Sequence, residues 1–212
     1  MNSWTCDSLV RVAPADCEGC GRCCRGMGDT IHIDPWDTMM LTTHLGMSFM
    51  DLLDEKFDLR VEDGLLLPNL ALDDQHPNCP FLDREGRCRI HDFRPGICRL
   101  FPLGREYTGK TFHYILSPGE CPNKKYKVKI SKYLDIPDLR QYEAFVGEWH
   151  AFVKAQQAVM GRVRDIKEKQ VRNKELLHIF YITPYTEEGF YDEFYSRLRN
   201  ILVMQGENIS GK

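Results

Sequence analysis

The spacing of apolar residues becomes helical in the last third of the chain. From about Asp138, apolar side chains recur every three or four residues, the period of an amphipathic helix. A second stretch with this period runs from Thr186 to about Met204 and predicts another helix. Gly161 weakens the first pattern locally. The predicted apolar faces are Tyr142, Phe145, Val146, Trp149, Phe152, Val153, Val159, Met160 and Val163 in the first helix, and Phe190, Phe194, Leu198, Ile201 and Leu202 in the second.

Two short helices and several extended segments are predicted upstream. Asp34-Pro35 combines an N-cap residue with proline at the first helical position, and Gly46 is a suitable end for this helix. Ser48 with Asp51 indicates the start of a second helix. Extended segments are expected at residues 30–33, at 58–72 around the turn Glu62-Asp63-Gly64, and in a hairpin that pairs 105–107 with 111–116.

The composition describes a soluble, globular chain. Its 212 residues fit one domain, or one domain with an appendage, and 42% hydrophobic residues are enough for a core. The net charge of -3 argues against a nucleic-acid partner or an anionic membrane surface. No apolar run approaches the roughly 18–20 residues that span a bilayer, and residues 1–10 do not resemble a secretory signal. A cytoplasmic location is expected.

The cysteines divide the chain in two. All nine lie between Cys6 and Cys121, and the 91 residues that follow contain none. Disulfides are rare in a reducing compartment, and an odd count fits a disulfide framework badly, so metal ligation is the better interpretation. This shift predicts a cysteine-rich metal-binding domain over residues 1–136 and a helical segment over 137–212 that packs on it.

The first cysteine cluster has the spacing C-x-x-C-x-x-C-C and comprises Cys17, Cys20, Cys23 and Cys24. Two residues between cysteines let both thiolates face one metal, and the glycines between them relieve strain in a tight loop. Cys23 and Cys24 are adjacent, which makes it difficult for both to bind one tetrahedral ion. The cluster therefore indicates a polynuclear centre or paired sites.

Four later cysteines complete a set of eight predicted metal ligands. They are Cys79, Cys88, Cys98 and Cys121, and together with the first cluster they supply two sites of four sulfurs each. Cys6 stands apart and is interpreted as a non-ligand. His76 and His91 lie near cysteines, but eight thiolates already satisfy the count. Arg25, Arg94 and Arg99 lie close to predicted ligands, where they either balance a cluster's negative charge or shape the turns.

The identity of the metal stays open at this point. C-x-x-C-x-x-C begins the ligand run of bacterial ferredoxins, whose distant ligand precedes proline, as Cys79 and Cys121 do here. The adjacent Cys24 departs from that pattern, and C-x-x-C pairs with glycine also occur in zinc ribbons. An iron–sulfur cluster, of the 4Fe–4S type, is the first interpretation and zinc is the alternative.

The combination of segments resembles the CxxCxxCC cysteine-cluster family, the YkgJ-type zinc- or iron-chelating domain. The resemblance covers about residues 14–125. It implies metal binding through the eight cysteines, and one distantly similar branch contains flagellin lysine N-methylases that are linked to an iron–sulfur cluster and S-adenosylmethionine. The segments that carry it are the first cluster, IHIDPWDTMMLTTHLGMSFMDLL at 31–53, CPFLDREGRCRIHDFRPGICRLFP at 79–102 and SPGECPN at 117–123.

We therefore expect an α+β protein with a small, irregular, cysteine-rich core, short strands and hairpins, and a helical C-terminal segment. The leading function is an iron–sulfur protein in electron transfer or in redox support of a partner enzyme. A protein partner is expected, and neither nucleic acid nor membrane. The alternatives are a zinc-stabilised adaptor module and a cluster-containing enzyme that modifies proteins. The basic residues at 124–132 and 162–174 are interpreted as solvated faces.

Overall fold

The computed structural model describes residues 3–13, 21–26, 30–71, 78–117 and 125–210, with side chains up to 206. Helices and short antiparallel strand pairs alternate in it, which confirms the α+β class. The strands are β1 (Leu9–Val12), β2 (Phe57–Glu62), β3 (Leu65–Leu70), β4 (Leu103–Thr108), β5 (Thr111–Leu116) and β6 (Tyr126–Lys129). The helices are α1 (Pro35–Leu45), α2 (Phe49–Glu55), α3 (Gly96–Leu100), α4 (Ile130–Leu134), α5 (Leu139–Arg162), α6 (Ile166–Leu177) and α7 (Phe190–Ser210).

Helices α1 and α2 begin where their caps predict. The Asp34 carboxylate accepts the Asp37 N–H at 2.8 Å, while the Asp37 carboxylate accepts the Asp34 N–H at 3.3 Å. Ser48 and Asp51 form the same reciprocal arrangement at the start of α2. Gly46 ends α1 with φ of 64°, a left-handed conformation that glycine adopts without strain. Both predicted helices are confirmed.

The two predicted hairpins are also confirmed. Strands β2 and β3 pair around Asp63 and Gly64, whose φ values of 49° and 85° match the turn that such short hairpins favour. Strands β4 and β5 pair around Gly109-Lys110. The strand expected at 30–33 is wrong, because this segment forms a single bridge, between His32 and Asn69, before α1 begins.

The remaining strand pair joins distant parts of the chain. Strand β1 pairs with β6 in antiparallel register, with Val10 opposite Val128 and Arg11 opposite Lys127. Val10 and Val12 are buried while the alternate residues of β1 are exposed. The basic stretch after residue 124 therefore contributes β6, whose Lys127 is exposed, as a solvated strand face should be.

The C-terminal helices pack their aromatic residues into the common core. Phe145 on α5 makes edge contacts with Phe190 and Phe194 on α7, with ring centroids 5.1 and 4.7 Å apart. The predicted faces are confirmed at most positions, but Leu202 is 50% exposed and Val159 is 36% exposed, so neither belongs to the core. Among the described helices, none is long and apolar enough to cross a membrane.

Candidate metal centre

The second half of the first cysteine cluster lies in a tight turn. Gly21 has φ of 58°, and residues 22–24 form one turn of 3₁₀-helix that holds Cys23 and Cys24. Their sulfur atoms are 4.0 Å apart and both residues are partly buried. A Cβ at Gly21 would lie 3.2 Å from the Gly86 carbonyl oxygen, so this turn packs closely against the loop that carries the next two cysteines.

Backbone hydrogen bonds attach that loop to the turn. The Cys79 N–H donates to the Cys24 carbonyl at 2.7 Å, and Arg25 forms a bridge with Asn78. The loop then closes on itself through a bridge between Leu82 and Cys88. Cys79 and Cys88 are thereby held next to the turn that contains Cys23 and Cys24, by main-chain contacts that do not depend on their side chains.

Cys98 is delivered by a third segment, the short helix α3. Pro95 precedes the helix, and its carbonyl accepts the Cys98 N–H at 2.9 Å. The N–H of Gly96, the first residue of α3, donates to the Asp37 carboxylate at 2.7 Å. The helix that carries Cys98 is therefore positioned by the beginning of α1.

Four of the cysteines are linked by their effects on the pKa of Cys79 and Cys98. Burial, with smaller effects from Cys88 and Cys23, raises the pKa of Cys79 to about 11, against the lowering effect of a hydrogen bond from the Phe81 backbone. Burial also raises the pKa of Cys98 well above its usual range, followed by the effects of Cys79, Asp37, Cys88 and Cys23. Cys23, Cys79, Cys88 and Cys98, which we call the thiol group, thus come within electrostatic range although three chain segments supply them.

The thiol group is a set of neighbours and not a finished ligand shell. Within the ranges that the structure describes, no three Cys, His, Asp or Glu side chains converge so that they could hold one ion. Cys17, Cys20 and Cys121, three of the eight predicted ligands, lie outside the described residues, as does His76. The ligand assignment of all eight cysteines stays a prediction.

The chemistry of the thiol group fits zinc or iron. Thiolate sulfur is a soft donor that both metals accept, and four sulfurs are the number that either a structural zinc site or a cubane cluster takes. Partly buried thiols with raised pKa values stay protonated at neutral pH, because ionising them would leave negative charges poorly solvated and close together. A bound cation removes this penalty by replacing the protons.

Cys6 has different surroundings. Burial raises its pKa, followed by the charge of Glu143 and a hydrogen bond to it, with smaller effects from Asp7 and Arg140. It lies where the segment before β1 meets α5, and its charged neighbours include the carboxylates of Glu143 and Asp7. Its interpretation as a non-ligand stays a prediction.

The arginines near the predicted ligands bond to the backbone of the loop before α3. Arg94 donates to the His91 carbonyl. Arg99 is 7% exposed and donates to the carbonyls of Arg94 and Asp92, and to that of Asp135 at 3.3 Å. Arg94 and Arg99 were expected either to balance the charge of a cluster or to shape the turns, and these contacts support the turn-shaping role. Arg25 is exposed.

Sequence reasoning missed two residues that position Cys98. Asp37 had no predicted role at the site, and Tyr142 was predicted only as a member of an apolar face. In the structure the Tyr142 hydroxyl lies where a Gly96 side chain would be, since a Cβ there would be 1.8 Å from it. One signal in the sequence could have pointed to Asp37. It is a second carboxylate in the first turn of α1, next to Trp36, whose bulky apolar side chain favours burial of this helix start.

Comparison with known proteins returned one family. Residues 16–139 match the CxxCxxCC family, described as a putative zinc- or iron-chelating domain. The match contains the whole thiol group, both Asp34 and Asp37, and strands β2 to β6. Neither a curated protein sequence nor a solved structure matches the chain.

Proposed function

Since the chain belongs to the CxxCxxCC family of zinc- or iron-chelating domains, we propose that its cysteines hold an iron–sulfur cluster that exchanges electrons with a partner protein. The observation that carries this proposal is the thiol group, in which Cys23, Cys79, Cys88 and Cys98 come within electrostatic range from three segments. Iron is favoured over zinc by the ferredoxin-like run Cys17, Cys20, Cys23 and by the Cys-Pro context of Cys79.

The chain's own residues supply thiolates and their surroundings. The thiol group would provide four of the eight predicted ligand sulfurs, and Cys17, Cys20, Cys24 and Cys121 would provide the others. A bound cluster supplies reversible one-electron chemistry. Main-chain N–H groups of the turn and loop, such as that of Cys79, stabilise the loop geometry that holds the sulfurs in place.

A zinc-stabilised adaptor module is the second candidate, and one distance favours it. With a zinc–sulfur bond of about 2.3 Å, two thiolates on one tetrahedral ion are about 3.8 Å apart. The 4.0 Å between the Cys23 and Cys24 sulfurs is close to that separation, despite the short link between adjacent residues. If zinc is the metal, both sulfurs face the same ion and the centre is structural.

Metal and sulfide analysis of anaerobically purified protein separates the two candidates. The iron–sulfur proposal expects iron with matching acid-labile sulfide, and a visible absorbance that bleaches on reduction. Stoichiometric zinc without sulfide in a colourless protein would refute it and support the adaptor module. Protein that binds neither metal after anaerobic reconstitution would refute both.

A pair of matched variants tests the thiol group itself. Cys98→Ser should lose metal, because it removes one of four neighbouring sulfurs, whereas Cys6→Ser should keep the wild-type content. Both cysteines are partly buried, so the pair controls for general damage from the substitution. Metal content per protein is the measurement, and equal content in the two variants would contradict the assignment of Cys98.

A further inference from the structure

We infer that Asp37 and Tyr142 are positioning residues for the metal centre, which they serve by fixing the helix that carries Cys98. This inference rests on the proposed metal site and extends it beyond the cysteines. It makes α1 and α5, which supply no metal ligand, part of what determines metal affinity.

The first contact fixes the backbone at the start of α3. The Asp37 side chain is 2% exposed and accepts the Gly96 N–H at 2.7 Å, two residues before Cys98. The N–H groups at a helix start have no partner within the helix, so an external acceptor decides how the helix is oriented.

The second contact leaves no room for α3 to move toward α5. Tyr142 is fully buried, and its hydroxyl occupies the space beside the Gly96 Cα, where a Cβ would lie only 1.8 Å away. The ring is held on its other side by Trp36, at 5.0 Å between centroids in an edge arrangement. Gly96 therefore lies between a carboxylate from α1 and a phenol from α5.

The other end of the α3 segment is fixed from the same side of the molecule. The Tyr133 hydroxyl donates to the Phe101 carbonyl, and the Arg99 guanidinium reaches the Asp135 carbonyl at 3.3 Å. Residues from 133 to 142 thus hold the Cys98 segment at its start, middle and end. These residues do not bind the metal, and they act on metal affinity by orienting Cys98. Loss of one of these contacts should therefore weaken metal binding more than it destabilises the fold.

Substitutions on α1 test the Asp37 contact. Asp37→Leu removes the acceptor for the Gly96 N–H and should weaken metal binding about 10- to 100-fold, while Asp37→Asn keeps an acceptor and should stay close to wild type. Thr38→Val is the matched control, since Thr38 is equally buried and loses one hydrogen bond, to the Asp34 carbonyl, away from α3. The measurement is competition against a metal chelator of known affinity.

A rescue experiment tests the Tyr142 contact. Gly96→Ala should weaken metal binding because the new methyl group overlaps the Tyr142 hydroxyl, and adding Tyr142→Phe should restore part of the affinity by removing that oxygen. A general folding defect at Gly96 would not be repaired by a change on α5. Failure of the double variant to regain affinity would overturn the role of Tyr142.

Hydrogen exchange on the wild-type chain keeps the test decisive if a variant fails to fold. Metal should increase amide protection in α5 around Tyr142 more than in α6, because coupling between sites is reciprocal. Equal metal affinity of Asp37→Leu and Thr38→Val, or no selective protection of α5, would overturn the inference. A wild-type chain that holds no metal would instead refute the proposed function on which it rests.

Discussion

At the residue scale, the least ordinary groups are the two carboxylates at the start of α1. Burial raises the pKa of Asp34 to about 6, against the lowering effect of the Asp37 N–H and of the Arg105 charge. Burial and the charge of Asp34 raise the pKa of Asp37 well above its usual range. Capping a helix with carboxylates in this environment makes their ionisation costly at neutral pH.

The pH dependence of stability should reveal this cost. Because the folded-state pKa of Asp34 is above the unfolded value of about 4, its stabilising contribution is full below pH 4 and is lost as the pH rises through about 6. Asp34→Asn retains an oxygen acceptor for the Asp37 N–H and has no charge to bury. We expect wild type to lose about 1–2 kcal/mol relative to the variant between pH 5 and pH 7.5.

Urea unfolding of both proteins at the two pH values measures this difference. If the two proteins lost stability in parallel with pH, the raised pKa of Asp34 would be contradicted.

The start of α1 also shows how much the sequence could predict, since the Asp34-Pro35 pattern predicted the cap and the start of the helix. It did not predict burial, because the residues that cover this end of α1, such as Tyr142, lie far away in the chain.

At the element scale, helix α5 approaches the β4–β5 hairpin unusually closely. A Cβ at Gly147 would lie 1.9 Å from the Lys110 carbonyl oxygen in the turn of the hairpin. Around this point the Tyr107 and His150 rings stack at 3.6 Å, and Lys110 pairs with Glu148 at 2.9 Å. Gly147 lies in the middle of α5 because only a residue without a side chain leaves room for the backbone of the hairpin turn.

Two alanine substitutions in α5 should therefore have opposite effects. Gly147→Ala should destabilise the fold by about 1–3 kcal/mol, because the carbonyl it meets belongs to the main chain and cannot turn away. Gly161→Ala has no atom within 4 Å of the new methyl group and should stabilise by up to about 1 kcal/mol through helix propensity. Denaturant midpoints measure both, and equal effects would contradict the close packing at Gly147.

The elements themselves were predictable where the signal was local. Caps specified α1 and α2, and the Asp63-Gly64 turn specified the β2–β3 hairpin. The pairing of β1 with β6 was not predictable, because Val10 and Val128 come together only through the tertiary fold. The strand expected at 30–33 failed because this segment meets the free edge of β3 at a single bridge, between His32 and Asn69, before α1 begins at Pro35.

At the scale of the whole molecule, buried side chains from β1 to α7 form one core. The thiol group lies where three chain segments meet beside that core, and Cys79, Cys88 and Cys98 pack against it. Sequence found the eight cysteines and their family, but the neighbours of Cys98 come from α1 and α5. The contact between Asp37 and Gly96 spans 59 residues, and no periodic pattern predicts it.

Removing the metal should lower the stability of the entire fold. Binding to the folded state alone stabilises it by about 2.7 kcal/mol when free metal is about 100 times Kd, which corresponds to roughly 5–10 °C in Tm for a chain of this size. Stripping the metal under anaerobic, reducing conditions should produce that drop in a thermal scan. Cys98→Ser should show no such change, and an unchanged wild-type Tm would contradict a metal that joins the three segments.

The contact between Gly96 and Tyr142 also bears on how the protein is made. Ribosomes add residues from the N-terminus at about 5–20 per second, so the 44 residues from the one after Cys98 to Tyr142 take roughly 2–9 s. During that interval all four cysteines of the thiol group have been synthesised, while the tyrosine that holds α3 has not. On the roles proposed for the thiol group and Tyr142, metal acquired by the nascent chain would be held weakly, and firm loading would follow the synthesis of α5.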